Sequence, residues 1–161
     1  MNLPYPRTTA SGASADAADC SVAANRLAHF FETLSPQSVA EVAQFYAADA
    51  RFKDPFNDVR GTPAIAQIFA HMFNALERPR FVVTGQVVQG LQCFMTWEFR
   101  FGFKRFQRGQ EHMILGASQL VFSAQGQVTL HRDYWDAAEE LYEKLPVVGS
   151  LMRWLKRQAN T

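Results

Sequence analysis

Aspartate and histidine side chains are the groups in this sequence best suited to moving a proton. Asp54 stands directly before a proline, and Asp133 follows His131 by two residues near the end of the chain's last strand-like segment. A carboxylate set in an apolar wall loses hydration and becomes a better proton shuttle near neutral pH. Asp133 near His131 or His112 can instead form an acid/base pair. Either arrangement predicts acid/base chemistry that uses no cofactor.

Each of these residues also has a purely structural interpretation. An aspartate before a proline commonly belongs to a turn, so backbone amides can hold Asp54. Asp133 can simply neutralise Arg132 or a histidine. His112 and His131 can be hydrogen-bonded residues of a core or a pocket lining. The residue types alone leave these alternatives open.

The composition predicts one globular domain. Of 161 residues, 48% are hydrophobic and 19% charged, so the chain can bury a core and is not disordered. A formal net charge of +1 argues against a dedicated nucleic-acid binder. Cys20 and Cys93 stand far apart without a CxxC pattern, and no set of metal ligands at a recognisable spacing is present, so we expect no metal site. Aromatic residues reach 13% and must be packed somewhere.

The first half of the chain predicts helices, because apolar residues recur there at intervals of three and four. The three helices are expected at about 17–34, 35–49 and 62–77. Pro36 and Pro63 stand at the first turns of the second and third helices, where proline is favoured. A short extended piece around 51–53 and a turn-rich loop over 54–61 separate these two helices.

The second half predicts strands rich in Val, Phe and Thr. Four strands are expected at about 81–89, 91–104, 111–122 and 128–135, with Gly90, Gly109 and Gly126 in the turns between them. Helices followed by hairpin-linked strands predict an α+β fold, in which the helices pack on one face of a curved antiparallel sheet.

The two ends of the chain differ from this body. Residues 1–16 are rich in Ala, Ser, Thr, Gly and Pro, which predicts a flexible segment without a secretory signal pattern. Residues 137–161 predict a C-terminal helical extension with a basic amphipathic end, suited to docking on the body or on a second subunit, or to a peripheral membrane contact. No apolar stretch reaches the length of a membrane span. We therefore expect a cytoplasmic protein whose domain covers 17–136.

One segment resembles a known family. The run FYAADARFKDPF at 45–56, followed by Gly61 and a new helix, resembles the helix-to-strand junction of ketosteroid isomerases, and Tyr134-Trp135 matches the end of their last strand. The sequence is thus similar to the NTF2-like superfamily, in its ketosteroid isomerase and SnoaL-like group, with a weaker resemblance to limonene-epoxide hydrolases. The resemblance covers about 22–136. It implies N-terminal helices on a strongly curved antiparallel sheet that encloses a conical pocket.

The resemblance implies roles for individual residues. Asp54 occupies the position of the proton-shuttling aspartate of ketosteroid isomerases, whereas their oxyanion tyrosine corresponds to Phe30 and their protonated aspartate to Ser118. One oxyanion donor contributes roughly 3 to 4 kcal/mol of transition-state stabilisation, so an efficient steroid isomerase is not expected.

A comparison with the epoxide hydrolases is also incomplete. Asp133 resembles the second carboxylate of their Asp-Arg-Asp arrangement, while Trp97 and Phe99 stand nearest to the other two positions. A water-activating triad of that kind is therefore not reproduced, although one of its carboxylates is.

The strand register that follows from this resemblance predicts the pocket wall, because alternate residues of a strand share a face. We expect Asp54 and Asp133 as catalytic candidates, and as pocket-lining residues Phe30, Trp97, Phe99, Phe101, His112, Ser118, His131 and Trp135. The opposite face of the sheet has an apolar centre, which predicts a homodimer through the sheet.

Two classes of function fit these features. The first is a ketosteroid-isomerase-like or SnoaL-like enzyme that binds a hydrophobic small molecule and moves a proton next to a carbonyl through Asp54 or Asp133, with epoxide hydrolysis by Asp133 as the second reaction. The other class is a non-catalytic dimeric module that binds a ligand in the pocket or a protein on the sheet. Neither class calls for a cofactor, and whether the protein is an enzyme stays open at this point.

Overall fold

The computed structural model describes residues 19–104 and 109–136. Its elements are α1 (Ser21–Glu32), a 3-10 turn (Ser38–Glu41), α2 (Val42–Phe45), β1 (Tyr46–Lys53), β2 (Asp58–Arg60), α3 (Thr62–Ala75), β3 (Leu76–Gln89), β4 (Gln92–Phe103), β5 (His112–Phe122) and β6 (Val128–Tyr134). The predicted N-terminal segment over 1–16 and the predicted extension over 137–161 both lie outside the described residues. Those boundaries and the membrane contact stay predictions.

The strands form one six-stranded sheet in the order β2-β1-β6-β5-β4-β3. Neighbouring strands from β3 to β6 are antiparallel, and only the contact of β1 with β6 is parallel. The three helices pack on this mostly antiparallel, curved sheet. The α+β class and the meander of four long strands are therefore confirmed.

The second predicted helix is shorter than expected. It ends at Phe45, and Tyr46 opens strand β1, where Tyr46, Ala50 and Phe52 are buried. The spacing of apolar residues over 35–49 fits a helix, but hydrogen bonding to β6 favours extended backbone from Tyr46 onward. Pairing with a distant strand is not visible in local periodicity.

Strand β2 lies where a loop was expected. Its three residues carry two charged side chains, so the sequence shows no apolar alternation there. Asp58 accepts hydrogen bonds from Arg51 and Lys53 on β1 at 2.8 and 2.9 Å, and these contacts hold the pKa of Asp58 below its ordinary value. Side chains thus help to hold β2 on the edge of the sheet.

Strand β3 begins earlier than predicted, at Leu76. Pro79 interrupts the expected pattern, yet the strand accommodates it through a shift of register between Glu77 and Arg80. Arg78 takes a positive φ of 48° within this irregularity. The bulge bends the long strand and lets it continue across a proline.

The concave face of the sheet carries the core. From α1, Leu27, Phe30 and Phe31 are buried, and α3 contributes Ile65 and Phe69. A second, smaller cluster lies further along β4 and β5 and contains Trp97, Phe101, Phe103 and Ile114. No helix among the described residues is long and apolar enough to cross a bilayer.

Candidate functional site

A buried polar network lies on the concave face, where three adjacent strands bring their inward residues together. Ser118 on β5 lies opposite Asp133 on β6, and Leu120 lies opposite His131. Trp97 comes from β4, on the other side of β5. The alternation of the strands therefore places Trp97, Ser118, His131 and Asp133 on one face, as the parity of the sequence predicts.

One carboxylate oxygen is the centre of this network. The hydroxyl of Ser118 donates to Oδ1 of Asp133 at 2.5 Å, and Nε2 of His131 lies 2.7 Å from the same oxygen. The indole Nε1 of Trp97, which can only donate, donates to the Ser118 hydroxyl at 2.9 Å. The Ser118 hydroxyl therefore accepts a hydrogen bond from Trp97 and donates one to Asp133.

Tyr46 holds the other side of the imidazole. Its hydroxyl lies 2.6 Å from Nδ1 of His131, and its ring stacks on the imidazole at a centroid distance of 6.0 Å. With Nε2 donating to Asp133, the neutral ring accepts at Nδ1 from the tyrosine. Burial, together with the charge of Asp133, raises the pKa of Tyr46 well above its ordinary value, so its hydroxyl stays protonated.

Asp133 lies at the junction of a small inner cavity and an open cleft. The inner cavity measures about 20 Å³ and is lined by Phe31, Phe69, Phe81, Val83, Trp97, Ser118, His131 and Asp133. About 10 to 15 Å³ is enough for one water molecule. The cleft measures about 580 Å³, within the usual range for ligand sites, and is lined by Lys53, Asp54, Pro55, Arg132, Asp133, Tyr134, Trp135 and Asp136.

The two oxygens of Asp133 are used differently. The side chain is 16% exposed, and its Oδ1 accepts both hydrogen bonds described above. Its Oδ2 has no hydrogen-bond partner in the part of the chain that the structure describes. The carboxylate is thus anchored through one oxygen, and Asp133 lines both the inner cavity and the cleft.

Asp54 also lines the cleft, but its carboxylate is engaged in a turn. Its Oδ1 accepts from the backbone amides of Phe56 and Asn57 at 2.7 and 2.6 Å. The side-chain amide of Asn57 donates to both oxygens, at 3.0 and 2.9 Å. These contacts are the turn arrangement that the Asp-Pro pair also suggested.

The other predicted pocket residues fall into three places. Phe30 faces away from the inner cavity and stacks on Phe45 at 4.2 Å, beside a groove between α1 and α2. Trp135 lines the cleft and meets Phe56 edge to face at 5.4 Å. The remaining three, Phe99, Phe101 and His112, lie deeper along β4 and β5, with Phe99 and Phe101 stacked and the His112 ring between Phe101 and Phe103.

Two site residues were missed by the sequence reasoning. Phe31, next to Phe30, is the α1 residue that lines the inner cavity. The sequence pattern places Tyr46 in a helix. A buried tyrosine needs a hydrogen-bond partner, and this requirement is the signal that could have identified Tyr46 as a site residue. Among the described residues, no group of three or more His, Cys, Asp or Glu side chains could hold a metal ion.

Comparisons with known proteins agree with this fold. The sequence model of the SnoaL-like domain matches residues 27–131. The chain belongs to the SnoaL-like family. This membership confirms the predicted resemblance to the NTF2-like superfamily, and the matched segment runs from α1 to β6. No curated protein matches the SnoaL-like chain by sequence.

Solved structures share the fold of this SnoaL-like domain. A candidate SnoaL-like polyketide cyclase from Jannaschia sp. CCS1 is 15% identical with a TM-score of 0.65, and the alignment covers 80% of this chain and 94% of that one. An LEH-like epoxide hydrolase from M. tuberculosis is 13% identical with a TM-score of 0.60, covering 75% and 85%.

A third structure is a hypothetical protein with a ketosteroid isomerase-like fold from Catenulispora acidiphila, solved in complex with trimethylamine. It is 16% identical with a TM-score of 0.63, covering 74% of this chain and 88% of that one. At these identities the likeness shows the fold, and the reaction has to be argued from the site.

Proposed function

We propose that this SnoaL-like domain binds a hydrophobic small molecule in the cleft and transfers a proton next to a carbonyl, with Asp133 as the acid/base. The observation that carries this proposal is the difference between the two oxygens of the Asp133 carboxylate. Oδ1 is held by Ser118 and His131, which leaves Oδ2 for the substrate. A base held in one orientation beside a ligand site meets the geometric requirement for general base catalysis.

The proposed step needs no cofactor. Oδ2 of Asp133 takes a proton from the carbon next to the carbonyl; the electron pair of the broken C–H bond forms a C=C bond to the carbonyl carbon, and the π pair of the carbonyl moves onto its oxygen. As that pair re-forms the carbonyl, the protonated Asp133, whose proton exchanges with solvent, returns a proton either to the same carbon, which introduces deuterium in D₂O, or, in a β,γ-unsaturated ketone, to the γ-carbon, which shifts the C=C bond and isomerises the substrate. Ser118 and His131 keep Oδ1 in place during both transfers, while Tyr46 holds His131.

Asp54 has a different role in this proposal. Its two oxygens accept four hydrogen bonds within the loop between β1 and β2. These bonds tie the carboxylate to the backbone and to Asn57, so removing a substrate proton would disrupt the loop. We assign Asp54 to shaping the cleft and Asp133 to moving the proton.

Hydrogen exchange tests this assignment. Cyclic 1,3-diketones and β,γ-unsaturated ketones are incubated with the protein in D₂O, and deuterium uptake next to the carbonyl is followed by NMR. Asp133→Asn keeps the shape of the side chain but removes the base, so we expect the catalysed rate to fall roughly 100-fold or more. Asp54→Asn keeps Oδ1 for the backbone amides of the loop, so we expect it to lose much less of the rate than Asp133→Asn. An Asp133→Asn protein that exchanges as fast as the wild type contradicts the assignment.

Epoxide hydrolysis is the second candidate, and the water-sized cavity beside Asp133 and His131 favours it. In that reaction Oδ2 of Asp133 takes a proton from water, the water oxygen bonds to an epoxide carbon, the C–O bond breaks, and the alkoxide takes a proton from solvent. Incubation of a simple epoxide such as styrene oxide in H₂¹⁸O distinguishes the candidates. Protein-dependent ¹⁸O in the diol supports hydrolysis, whereas no diol from the epoxide, together with deuterium uptake by the ketones in D₂O, supports proton transfer.

We also propose that the protein is a homodimer through the outer face of the sheet. That face carries four large hydrophobic side chains that are 40 to 54% exposed: Phe94, Met113, Leu115 and Tyr134. Apolar groups that cluster on one exposed face are typical of an interaction surface. A sheet contact of this kind serves the enzyme and the non-catalytic module equally, so it does not discriminate between them.

A further inference from the structure

Trp97 occupies the middle of the concave face and depends on a glycine opposite it. Gly116 is its partner across β4 and β5, and a Cβ added there would lie 2.2 Å from Cη2 and 2.5 Å from Cζ2 of the indole. Atoms that are not bonded do not approach so closely. The six-membered ring of Trp97 therefore lies directly on the backbone of Gly116, in space that any other residue at 116 would fill.

Two more contacts fix the indole. Phe81 on β3 meets it edge to face at a centroid distance of 5.6 Å. Its Nε1 donates to the Ser118 hydroxyl, which in turn donates to Asp133. The side chain is 6% exposed. Backbone, aromatic ring and hydrogen bond thus hold Trp97 in one orientation beside the proposed base.

In this orientation the indole forms one wall of the inner cavity. The cavity left between Trp97 and the network measures about 20 Å³, whereas the cleft on the other side of Asp133 measures about 580 Å³. A bulky ligand can therefore lie in the cleft but cannot enter the inner cavity while Trp97 stays in place.

We propose that Trp97 is a specificity-determining residue that limits what reaches past Asp133 to a group about the size of a carbonyl or a methyl. The proposal rests on the proposed function and narrows its substrate class. The preferred molecule keeps its apolar body in the cleft and presents a small, carbonyl-bearing edge to Asp133. Substrates that would have to place fused rings in the inner cavity are excluded.

Calorimetric titration with 2-naphthol, a compound of two fused rings, tests this. Trp97→Leu frees the volume of the indole next to the cavity, so we expect it to bind 2-naphthol about tenfold more tightly than the wild type. Phe103→Leu is the matched control: Phe103 lies on the same strand and face and is buried, but it does not line the cavity. We expect its affinity to equal that of the wild type.

A second variant keeps the test decisive if Trp97→Leu does not fold, as judged by circular dichroism. Trp97→Phe keeps one ring and loses the second ring and the donor, and it is expected to bind 2-naphthol with an intermediate affinity. The proposal is overturned if the folded Trp97 variants bind no better than the wild type, or if Phe103→Leu gains as much. Because 2-naphthol binding involves no proton transfer, the same gain in an Asp133→Asn background shows that size selection holds even if the catalytic assignment fails.

Discussion

At the scale of single residues, the site is a carboxylate with one oxygen, Oδ1 of Asp133, held by hydrogen bonds from neighbouring side chains. Two hydrogen-bonded branches meet at Oδ1 of Asp133: one runs from Tyr46 through His131 and the other from Trp97 through Ser118. In a buried network, each member is costly to remove because its partner is then left unsatisfied. The stability of the fold and the orientation of Asp133 should therefore depend on the same side chains.

Tyr46→Phe tests this dependence. The variant keeps the ring but leaves Nδ1 of the buried His131 without its donor, so we expect the free energy of unfolding to fall by about 1 to 3 kcal/mol. Urea denaturation measures it. The control is Thr33→Val, whose hydroxyl donates to the carbonyl of His29 at an exposed position away from the sheet face, and a change below about 0.5 kcal/mol is expected there. Equal losses in the two variants would show that the buried contact has no special weight.

Cys93 gives a pH dependence at the residue scale. Burial raises the pKa of its thiol from 9.0 to about 11, because the thiolate is poorly solvated inside the protein. The folded state therefore binds this proton more tightly than the unfolded state. Its contribution to stability is fully present below pH 9.0 and is lost as the pH rises towards about 11.

Urea denaturation at several pH values between these limits measures the effect. Cys93→Ala removes the thiol, so the decline of stability between pH 9.0 and about 11 should be shallower than in the wild type, whatever the offset between the two curves. Parallel declines would mean that Cys93 does not titrate with folding. Tyr46, whose pKa is also raised, adds a further loss of stability with rising pH in both proteins.

The sequence predicts part of this site for a clear reason. Ser118, His131 and Asp133 lie on strands with regular alternation, so parity places them on one face. The sequence pattern does not predict which oxygen of Asp133 accepts the hydrogen bonds, or that Asn57 donates to Asp54. These contacts depend on distances between side chains, which the alternation of a strand does not specify. Phe30 and Phe31 are adjacent on a helix, and a count along the sequence cannot tell which of them faces the cavity.

At the scale of elements, the contact of Trp97 with Gly116 links β4 to β5. A glycine inside a strand normally weakens it, and a close approach by another group is one reason for its presence. Here the approaching group is the indole ring. The same pair thus supports strand packing and limits the volume of the cavity.

Gly116→Ala tests the packing side of this pair. The added methyl would overlap with the indole, so we expect a loss of about 1 to 3 kcal/mol in the free energy of unfolding. In a Trp97→Leu background the methyl has room, and the loss should largely disappear in a double-mutant cycle. Gly102→Ala on β4 is the control, since its nearest contact would be an ordinary 3.4 Å to Glu77. If the effects of Gly116→Ala and Trp97→Leu on the free energy of unfolding were additive, the indole ring and the backbone at Gly116 would not interfere.

Element boundaries show where local patterns stop being informative. The long strands β4 and β5 were predicted to within a residue or two, because their alternation is regular and glycines with positive φ stand just before them, at Gly90 and Gly109. Strand β1 was mostly missed because its parallel partner, β6, lies about 80 residues away. The start of β3 was missed because a bulge carries Pro79 through the strand.

At the scale of the whole molecule, the sheet has two very different faces. The concave face holds the core, the cavity and Asp133. The outer face carries a ladder of charges at one end, where Arg100 contacts Glu98 and Glu111, and Arg80 contacts Glu111. The outer face also presents Phe94, Met113, Leu115 and Tyr134 to solvent in the isolated chain. A second copy, placed face to face, would cover these side chains.

The proposed homodimer can be tested through this outer face. A stable dimer contact buries about 1,200 to 2,000 Å² and is sensitive to a charge at its apolar centre. Leu115, 54% exposed, stands near that centre, opposite Glu98 on β4. Leu115→Glu places two like charges side by side and, in a dimer, brings them against the partner's face. Sedimentation velocity should show a dimer for the wild type and a monomer for this variant.

Val22→Glu is the control, because Val22 is more exposed, at 75%, but lies on α1 away from the sheet face, and it should leave the dimer intact. A wild-type monomer at high protein concentration, or a Leu115→Glu protein that stays dimeric, would place any self-association elsewhere on the molecule.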